Sequence, residues 1–472
     1  MIAVWLAACA APPTPPAQPN VVLVSMDTVR WDHTSLAGGR DTTPNLARLA
    51  AVGESWSRAY AVANESLTSH AALFTGRYPS EVAVPDYGSF ALPSSATTLA
   101  GALRANGYQT AAFTGGGHVT ATFGFDNGFD TFWSAPGDTR FASFFDTVPR
   151  AAAWTEARTG PWMVFVHGYD AHSPYAPRGA FRHPWGDAGG TELVEALAAD
   201  PLAVEQLRGS RWFPDRRPED FVHAAGRTLL GTDFYRLPAE PAPGERVVEL
   251  TPAEVAHLRD HYDAGVYYAD VWLGLLLARV DLRDTLVVVV ADHGEDLLDH
   301  GYMNHRAGLW DSTLHVPLVV AGPGFGGGVV HDGLVDLRQV LPTVLAAAGA
   351  RVPAGVTAAP LGGPGADAVY AEGVMDAVRV DDGHGSLTLA GVGLARGAPD
   401  LGTAPLEALG AELRDAAGDA VVLDVHADRA GALRAALVAW RAGLPVAAEP
   451  GTPLGPEVRE ALRARGYWTP SP

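Results

Sequence analysis

Continuous apolar runs alternate with helical patterns along this chain, and that alternation limits its possible folds more than any other feature. The run at residues 21–25 is followed by a helical pattern that begins at Thr43-Pro44 and ends at Gly53. Strands joined by helices are typical of a mostly parallel sheet that helices cover, so we expect an α/β fold. Further strands are predicted at residues 109–113, 163–166, 286–290 and 316–320, with a long helix at 252–280 before the strand at 286–290.

The chain also divides by composition into three parts. Residues 1–19 end in a Pro-rich stretch that predicts an extended tether, residues 20–360 carry the strand and helix pattern, and residues 361–472 change to short strands followed by helices. Within the middle part, residues 182–249 are rich in Pro, Gly, Arg and Trp and lack a steady period. We interpret that segment as an irregular insertion over the edge of the sheet.

The net charge of the chain disfavours some classes of partner. The 472-residue chain has a formal net charge of −20 at pH 7, which disfavours nucleic acid or an anionic membrane surface as its main partner. It contains no lysine, so arginine supplies every cationic side chain other than histidine. Arginine suits bidentate contacts with oxyanions, and a polyanionic substrate would require a local cationic pocket.

The single cysteine, Cys9, lies in Leu6-Ala7-Ala8-Cys9, which resembles a bacterial lipobox. An internal disulfide or a cysteine metal site is therefore excluded. The short apolar run before Cys9 and the Pro-rich tether after it predict export as a periplasmic or outer-membrane lipoprotein, whose only membrane contact is a lipid anchor on Cys9. The alternative is an apolar start that carries one cysteine by chance.

Three remote segments end in residues suited to metal chemistry. The run at 20–26 leads to Asp27, the run at 285–290 leads to Asp292 and His293, and Ser66 lies just before a helical run. In an open parallel sheet, ligands bind beyond the carboxyl ends of the strands, where these side chains would meet. Two carboxylates and an imidazole suit a divalent cation, which would activate the Ser66 hydroxyl. Alternatively, the aspartates cap turns and His293 is a satisfied buried histidine.

The chain carries five motifs in the order Asp27-Thr28-Val29-Arg30, the Ser66 segment, residues 162–175, Asp292-His293-Gly294 and residues 463–467. Together, and in this order, they resemble the sulfatase family of the alkaline phosphatase superfamily, over most of the chain. The resemblance implies an alkaline-phosphatase-like fold with residues 20–360 as the catalytic domain, residues 361–472 as a smaller antiparallel α+β subdomain, Ser66 as nucleophile, and Asp27, Thr28, Ser66, Asp292 and His293 as metal ligands. By family the metal is expected to be calcium, with magnesium, manganese or zinc as alternatives.

The chain departs from the family pattern at positions that bear on the chemistry. Thr28 stands where the family usually has a second aspartate, which removes one anionic ligand. In the motif for converting the nucleophile to formylglycine, Thr68 replaces the proline and His70 replaces the arginine. The family's sulfate-binding lysines are absent, since the chain has none. An unmodified Ser66 is therefore expected.

Histidines are the candidates for the missing cationic and proton-transfer groups. His172 follows a strand and is similar to the family's substrate-facing histidine, which could protonate a leaving oxygen. His305 lies where the family has a lysine or histidine that contacts the oxyanion, and His70 is a third catalytic candidate. Alternatively, Asp170 or His172 could complete a second metal site with His305. His118 is equally compatible with a loop or a pocket role, whereas His300 is expected to be structural.

The resemblance implies a metal-dependent hydrolase of sulfate esters with Ser66 as nucleophile. Two alternatives stay open: a phosphatase, phosphodiesterase or phosphonate ester hydrolase that uses unmodified Ser66, and a non-catalytic binding protein on the same fold. The expected partner is a small-molecule or carbohydrate sulfate or phosphate ester.

Overall fold

The structure is a computed structural model that describes only part of the chain. Cys9 and its tether, nearly all of the predicted insertion at 182–249, and His300 lie outside the described residues. The described residues are 18–84, 90–136, 141–172, 175, 223–224, 227–228, 252–297, 299, 303–305, 308–373, 376–381, 386–390, 412–414, 420–421, 426–445, 447 and 452–464.

Helices and strands alternate over the described residues, as the pattern predicts. The helices are α1 Pro44–Val52, α2 Ser66–Thr75, α3 Leu99–Ala105, α4 Phe144–Glu156, α5 Pro252–Leu277, α6 Asp311–Leu314, α7 Val340–Ala347, α8 Ala427–Gly443 and α9 Pro456–Ala464. The strands are β1 Asn20–Met26, β2 Glu54–Trp56, β3 Ala59–Tyr60, β4 Phe90–Ala91, β5 Gln109–Thr114, β6 Thr131–Ser134, β7 Trp162–Gly168, β8 His223–Ala224, β9 Arg227–Thr228, β10 Thr285–Val290, β11 Asp296–Leu297, β12 Met303–Asn304, β13 Leu318–Ala321, β14 Val329–His331, β15 Val335–Asp336, β16 Ala368–Glu372, β17 Asp376–Asp381, β18 Ser386–Ala390, β19 Glu412–Arg414, β20 Ala420–Val421 and β21 Thr452–Pro453.

Eight strands form the main sheet, in the order β14-β2-β13-β10-β1-β7-β5-β6. Strand β1 is paired in parallel with both β10 and β7, which confirms the predicted mostly parallel sheet. The strand predicted at 316–320 is present as β13, but it runs antiparallel to β10 and to β2. An apolar run predicts a buried strand and carries no information on the direction of pairing, which explains the difference.

The central strands are mostly apolar because helices cover both faces of the sheet. Residues 21–24 of β1 and all of β10 are at most 2% exposed. A strand that is buried on both faces reads as a continuous apolar run, which is the pattern that the sequence shows. These strands pack with α1, α4 and α5 into one core.

Asp270 joins α5 to the start of α1. The sequence shows it as a charge that interrupts an apolar helix, and the structure shows it fully buried. Its carboxylate accepts the backbone N–H groups of Asn45 and Leu46, each at 2.9 Å. Thr43 makes no side-chain cap at this helix start, so the remote aspartate satisfies these two amides instead. Burial raises the pKa of Asp270 to about 6.

A second, antiparallel sheet follows in the order β16-β17-β18-β19-β20, as expected for the C-terminal part of the fold class. Helix α8 packs on it through Leu433 and Leu437. Trp440 of α8 stacks on Tyr370, with ring centroids 4.8 Å apart, and meets Tyr78 edge-on at 5.1 Å. The domain boundaries at 19, 360 and 361 stay predictions. Among the described helices, none combines the length and the apolar character that crossing a membrane requires.

Candidate metal centre and nucleophile

Three neighbouring strands deliver polar side chains to one edge of the main sheet. The parallel registers place Ser25 beside Val290 of β10 and beside His167 of β7. Asp27 and Asp292 each come two residues after those paired positions, so the carboxyl ends of β1, β10 and β7 meet. All of these polar residues are fully buried.

Ser66 is the first residue of α2, and its hydroxyl lies among these side chains. Its Oγ donates to Oδ2 of Asp27 at 3.1 Å and lies 3.2 Å from Nε2 of His293. The first backbone N–H groups of a helix have no intrahelical acceptor, and the helix dipole adds positive potential there. The start of α2 therefore favours negative charge on Ser66 or on a group that Ser66 attacks.

Asp27, Asp292 and His293 can hold a cation. One ligand atom from each lies within 4.8 Å of the others, and no other group of three His, Cys, Asp or Glu residues in the described part of the chain meets that condition. Oδ1 of Asp27 and Oδ2 of Asp292 are buried without a hydrogen-bond partner. Two buried carboxylate oxygens without donors are the lone pairs that a divalent ion would use, so the residues fit a metal.

The electrostatics of the two carboxylates support the same conclusion. Burial and the neighbouring Asp292 raise the pKa of Asp27 well above its usual range. Burial also opposes ionisation of Asp292, but His293, His70 and His167 outweigh it and hold its pKa below the usual range. Two neighbouring carboxyl groups in a buried site cannot both lose their protons without a large electrostatic penalty, and a bound cation would remove that repulsion.

His167 is a site residue that our sequence analysis missed. Its Nε2 lies 3.1 Å from Oδ2 of Asp27, while its Nδ1 accepts the N–H of Gly115 at 3.4 Å. Because Nδ1 is an acceptor, Nε2 carries the proton and donates to Asp27. The available signal was its place at the end of the central strand at 162–168, next to β1.

His70 lies behind the nucleophile rather than on the rim of the site. Its Nδ1 is 2.8 Å from the backbone oxygen of Ser66 and 3.4 Å from Oδ2 of Asp292, and its Nε2 contacts Oγ of Ser25 at 3.0 Å. The side chain is fully buried. These contacts suit positioning of Ser66 and Asp292; direct catalysis by His70 stays a prediction.

Thr28 holds the carboxylate of Asp292 in place. Its backbone N–H donates to Oδ1 of Asp292 at 3.2 Å, and its hydroxyl donates to the carbonyl of Asp27 at 2.7 Å. Its φ of 60° is in the left-handed region, which is unfavourable for a β-branched residue. Tyr262 donates to the Thr28 carbonyl at 2.6 Å and stabilises this turn. A metal-ligand role for the Thr28 hydroxyl stays a prediction.

Three more histidines surround the centre. The ring of His305 lies 4.3 Å from that of His293 and 5.4 Å from that of His172, measured between centroids. His118 is buried close to His172 and His305. It follows three glycines, of which Gly117 has a φ of 59°. An added Cβ at Gly117 would lie 2.4 Å from the hydroxyl oxygen of Tyr169, so this approach requires glycine.

Glu295 is a second residue that the sequence analysis did not identify. It is fully buried, and its Oε1 lies 3.1 Å from Nδ1 of His305. Burial raises the pKa of Glu295 to about 7. The alternative of a second metal site formed by Asp170 or His172 with His305 gains no support, because the described residues bring such ligand atoms together only at Asp27, Asp292 and His293.

Acid is expected to destabilise the fold through His118. Burial and the neighbouring His172 and His305 lower its pKa to about 3, whereas the unfolded residue titrates at its ordinary 6.5. Between these values the unfolded state binds more protons, so stability that is present above pH 6.5 is lost as the pH falls. We expect a loss of about 2 kcal/mol from His118 between about pH 7.5 and pH 5. Urea unfolding of the wild type and His118→Asn measures it, and an unchanged pH dependence in the variant would contradict the assignment.

Known proteins resemble this chain in sequence. A family model described as Sulfatase matches residues 19–350. Arylsulfatase K of Canis lupus familiaris is 23% identical over 372 residues, which cover 72% of this chain and 64% of that protein. Steryl-sulfatase of Mus musculus is 26% identical over 409 residues, which cover 74% and 65%. The chain thus spans slightly less than two thirds of the length of these relatives.

A solved structure shows the same fold. The phosphonate monoester hydrolase of Agrobacterium radiobacter superposes with a TM-score of 0.61 and 19% identity, over 90% of this chain and 95% of that one. At this level of identity the likeness establishes the fold, and the alkaline-phosphatase-like architecture expected from the sequence is confirmed.

Proposed function

We propose that this chain, which belongs to the sulfatase family, hydrolyses sulfate esters at a divalent cation held by Asp27, Asp292 and His293. One observation carries the proposal: Ser66 Oγ lies within 3.2 Å of both Asp27 and His293, at the start of a helix. The family membership supports the ester and the sulfuryl group.

Each residue of the site has its own role in the proposed reaction. When bound, the cation would acidify the Ser66 hydroxyl and neutralise charge that builds on the transferred group. Ser66 donates to Asp27 in the structure, so Asp27 is placed to hold the proton that Ser66 releases on attack. A bond then forms between Ser66 Oγ and the sulfur while the bond to the ester oxygen breaks. We propose that His172 gives that leaving oxygen its proton. Water then attacks the sulfur and the bond to Ser66 Oγ breaks, so that sulfate leaves, the proton held by Asp27 returns to Ser66 and His172 takes a proton from the water.

A phosphate or phosphonate ester is the second candidate, and the environment of Ser66 favours it. Thr68 and His70, which differ from the family's modification motif, are built into the fold: the Thr68 hydroxyl donates to the Glu65 carbonyl at 3.2 Å, and His70 contacts Ser66 and Ser25. An unmodified serine can form and hydrolyse a phosphoseryl intermediate, whereas a sulfated serine lacks the elimination route that formylglycine offers.

The donor set favours a borderline transition metal over calcium. Calcium takes six to eight oxygen ligands, whereas zinc is bound by imidazole nitrogen and carboxylate oxygen at lower coordination number, and manganese takes imidazole nitrogen beside oxygen ligands. Here the candidate ligands are two carboxylates, one imidazole and a serine hydroxyl. We propose manganese or zinc first, although the family resemblance alone would favour calcium.

A paired substrate screen tests the proposed function. Purified protein, loaded separately with calcium, magnesium, manganese and zinc, is assayed on nitrophenyl sulfate, nitrophenyl phosphate, bis-nitrophenyl phosphate and a phenylphosphonate ester. We expect turnover of at least one class, lost on chelation and restored by metal. Activity that survives complete metal removal would contradict the mechanism. A protein that binds metal but hydrolyses none of these esters would favour the non-catalytic alternative.

A further inference from the structure

His305 is held from two sides by residues that the proposed reaction does not use. Glu295 contacts its imidazole, and Asn64 contacts its backbone. We propose that Glu295 and Asn64 are positioning residues that fix the His305 ring so that its Nε2 contacts the transferred sulfuryl or phosphoryl oxygens. This inference rests on the proposed function and goes beyond it, because it assigns Glu295 and Asn64 the role of holding His305 in place.

The chain brings Glu295 to His305 through a short hairpin. Strands β11 and β12 pair antiparallel, with Leu297 opposite Met303 and Asp296 opposite Asn304. The next facing pair in this register is Glu295 and His305, and their side chains meet with Oε1 3.1 Å from Nδ1. The same segment continues directly from His293, so one strand end supplies both a candidate metal ligand and the support for His305.

Asn64 ties His305 to the nucleophile. Its Nδ2 donates to the carbonyl of His305 at 2.7 Å and to the carbonyl of Gly308 at 3.0 Å, and the residue is 3% exposed. It precedes Ser66 by two positions. The hydrogen bond from Asn64 therefore joins the His305 backbone to the segment that carries Ser66, and this segment would resist a shift of His305.

The hydrogen bond to Glu295 sets the direction of the ring. With Nδ1 facing Oε1, Nε2 lies on the opposite side of the imidazole, whichever partner carries the shared proton. The ring itself lies against those of His293 and His172, which places it at the centre rather than in a separate part of the fold. The chain has no lysine, so an imidazole with its proton on Nε2 is a suitable donor to the anion here, with Nδ1 as the acceptor in the contact with Glu295.

A structural role alone does not explain this arrangement well. A fully buried carboxyl group costs several kcal/mol to desolvate unless its partners compensate, and the carboxyl group of Glu295 meets the His305 ring and the Tyr175 hydroxyl, neither of which is a fixed cation. An apolar residue of the same size would avoid that cost. A buried carboxylate that orients an imidazole is the arrangement that supports metal and catalytic sites, where its loss costs about 10- to 100-fold in affinity or activity.

A double-mutant cycle tests whether Glu295 acts through His305. We expect Glu295→Ala to reduce kcat/KM by about 10- to 100-fold, and Glu295→Gln, whose amide N–H can donate to Nδ1 and so keep the proton on Nε2, to recover most of it. In a His305→Ala background, Glu295→Ala should have almost no further effect, since the ring that it orients is gone. Asn64→Ala should behave in the same way. Effects of Glu295→Ala that are as large with His305→Ala as without it would overturn the proposal.

Binding of inorganic phosphate gives a second readout that needs no turnover. Calorimetry on the metal-loaded variants should show weaker phosphate binding for Glu295→Ala and for His305→Ala, with no additional loss in the double variant. Unchanged phosphate affinity in both single variants would contradict the inference even if no ester is hydrolysed. If the wild type hydrolyses none of the esters but the losses of phosphate affinity in the single and double variants are non-additive, the proposed function fails while the positioning role stands.

Glu81→Ala is the matched control. Glu81 is also a buried glutamate, and it accepts the backbone N–H of Tyr78 at 2.7 Å, beyond the far end of α2 from Ser66. Its removal should reduce stability but leave kcat, KM and phosphate affinity unchanged. Equal losses of kcat/KM in Glu81→Ala and Glu295→Ala would show that losing any buried glutamate has this effect, and would overturn the proposal.

Discussion

Ser66→Ala is expected to reduce kcat by about 10³-fold or more on any ester that the wild type cleaves, because the nucleophile is gone. The Oγ of Ser66 makes two contacts, with Asp27 and His293, and both are to groups that would share the cation. Stability should change little, since alanine is a good helix former and the position is the first of α2. Single-turnover assays with thermal unfolding measure both effects.

Ser55→Ala serves as the control for Ser66→Ala. Ser55 is a serine that is 3% exposed in β2, away from the centre, and its loss should leave turnover unchanged. Intact-mass measurement of the wild type should also show an unmodified Ser66. Full activity in Ser66→Ala would remove this hydroxyl from the mechanism, and a mass lower by about two hydrogens would replace our expectation with formylglycine chemistry.

Asp292→Asn is expected to abolish stoichiometric metal binding. Asp292 accepts the N–H groups of Thr28 and His293 at 3.2 and 3.0 Å through one oxygen, which leaves the other for the cation. The amide removes the charge at nearly constant shape, so we expect metal affinity to fall by more than about 100-fold, the upper range for changes to groups that only support a ligand. Metal analysis after dialysis should show about one ion per wild-type chain and almost none in the variant.

Stability gives an independent measure of the same ion. At free metal about 100 times above the dissociation constant, binding adds about 2.7 kcal/mol to the free energy of unfolding. The wild type should lose this increment on chelation, whereas Asp292→Asn should be insensitive to chelators. Asp336→Asn is the matched control, since Asp336 is a buried aspartate that pairs with Arg338 at 2.7 Å outside the centre. Full metal content in Asp292→Asn would exclude Asp292 as a ligand.

The sequence predicted the parts of the site that follow from local pattern. Asp27 and Asp292 stand directly after apolar runs, and a parallel sheet brings the ends of such runs together. The hydroxyl of Ser66 precedes a helical run, so its place at a helix N-terminus could also be predicted. Each of these positions depends on residues within a few positions along the chain, which is why sequence reasoning reached them.

Residues whose role depends on remote partners were not predicted. His167 is one of 16 histidines, and only its register beside Ser25 places it against Asp27. Glu295 meets His305 because of a hairpin whose two strands are only two residues long each, which gives no strong sequence signal. Asp270 caps a helix more than 200 positions away, at Asn45. In the same way, the antiparallel direction of β13 is set by its neighbours and not by its own apolar residues.

The central place of β1 governs the order in which the chain can fold. Asn20 is paired with Thr285, and Val21 with Met163, so the first strand has no neighbour until much later segments have been synthesised. Pairings of such long range make folding slow, and the unpaired strand edges attract other chains in the meantime. A nascent chain that has not yet reached Thr285 would expose one whole side of β1, so we expect chaperone dependence to be greatest before β10 emerges from the ribosome.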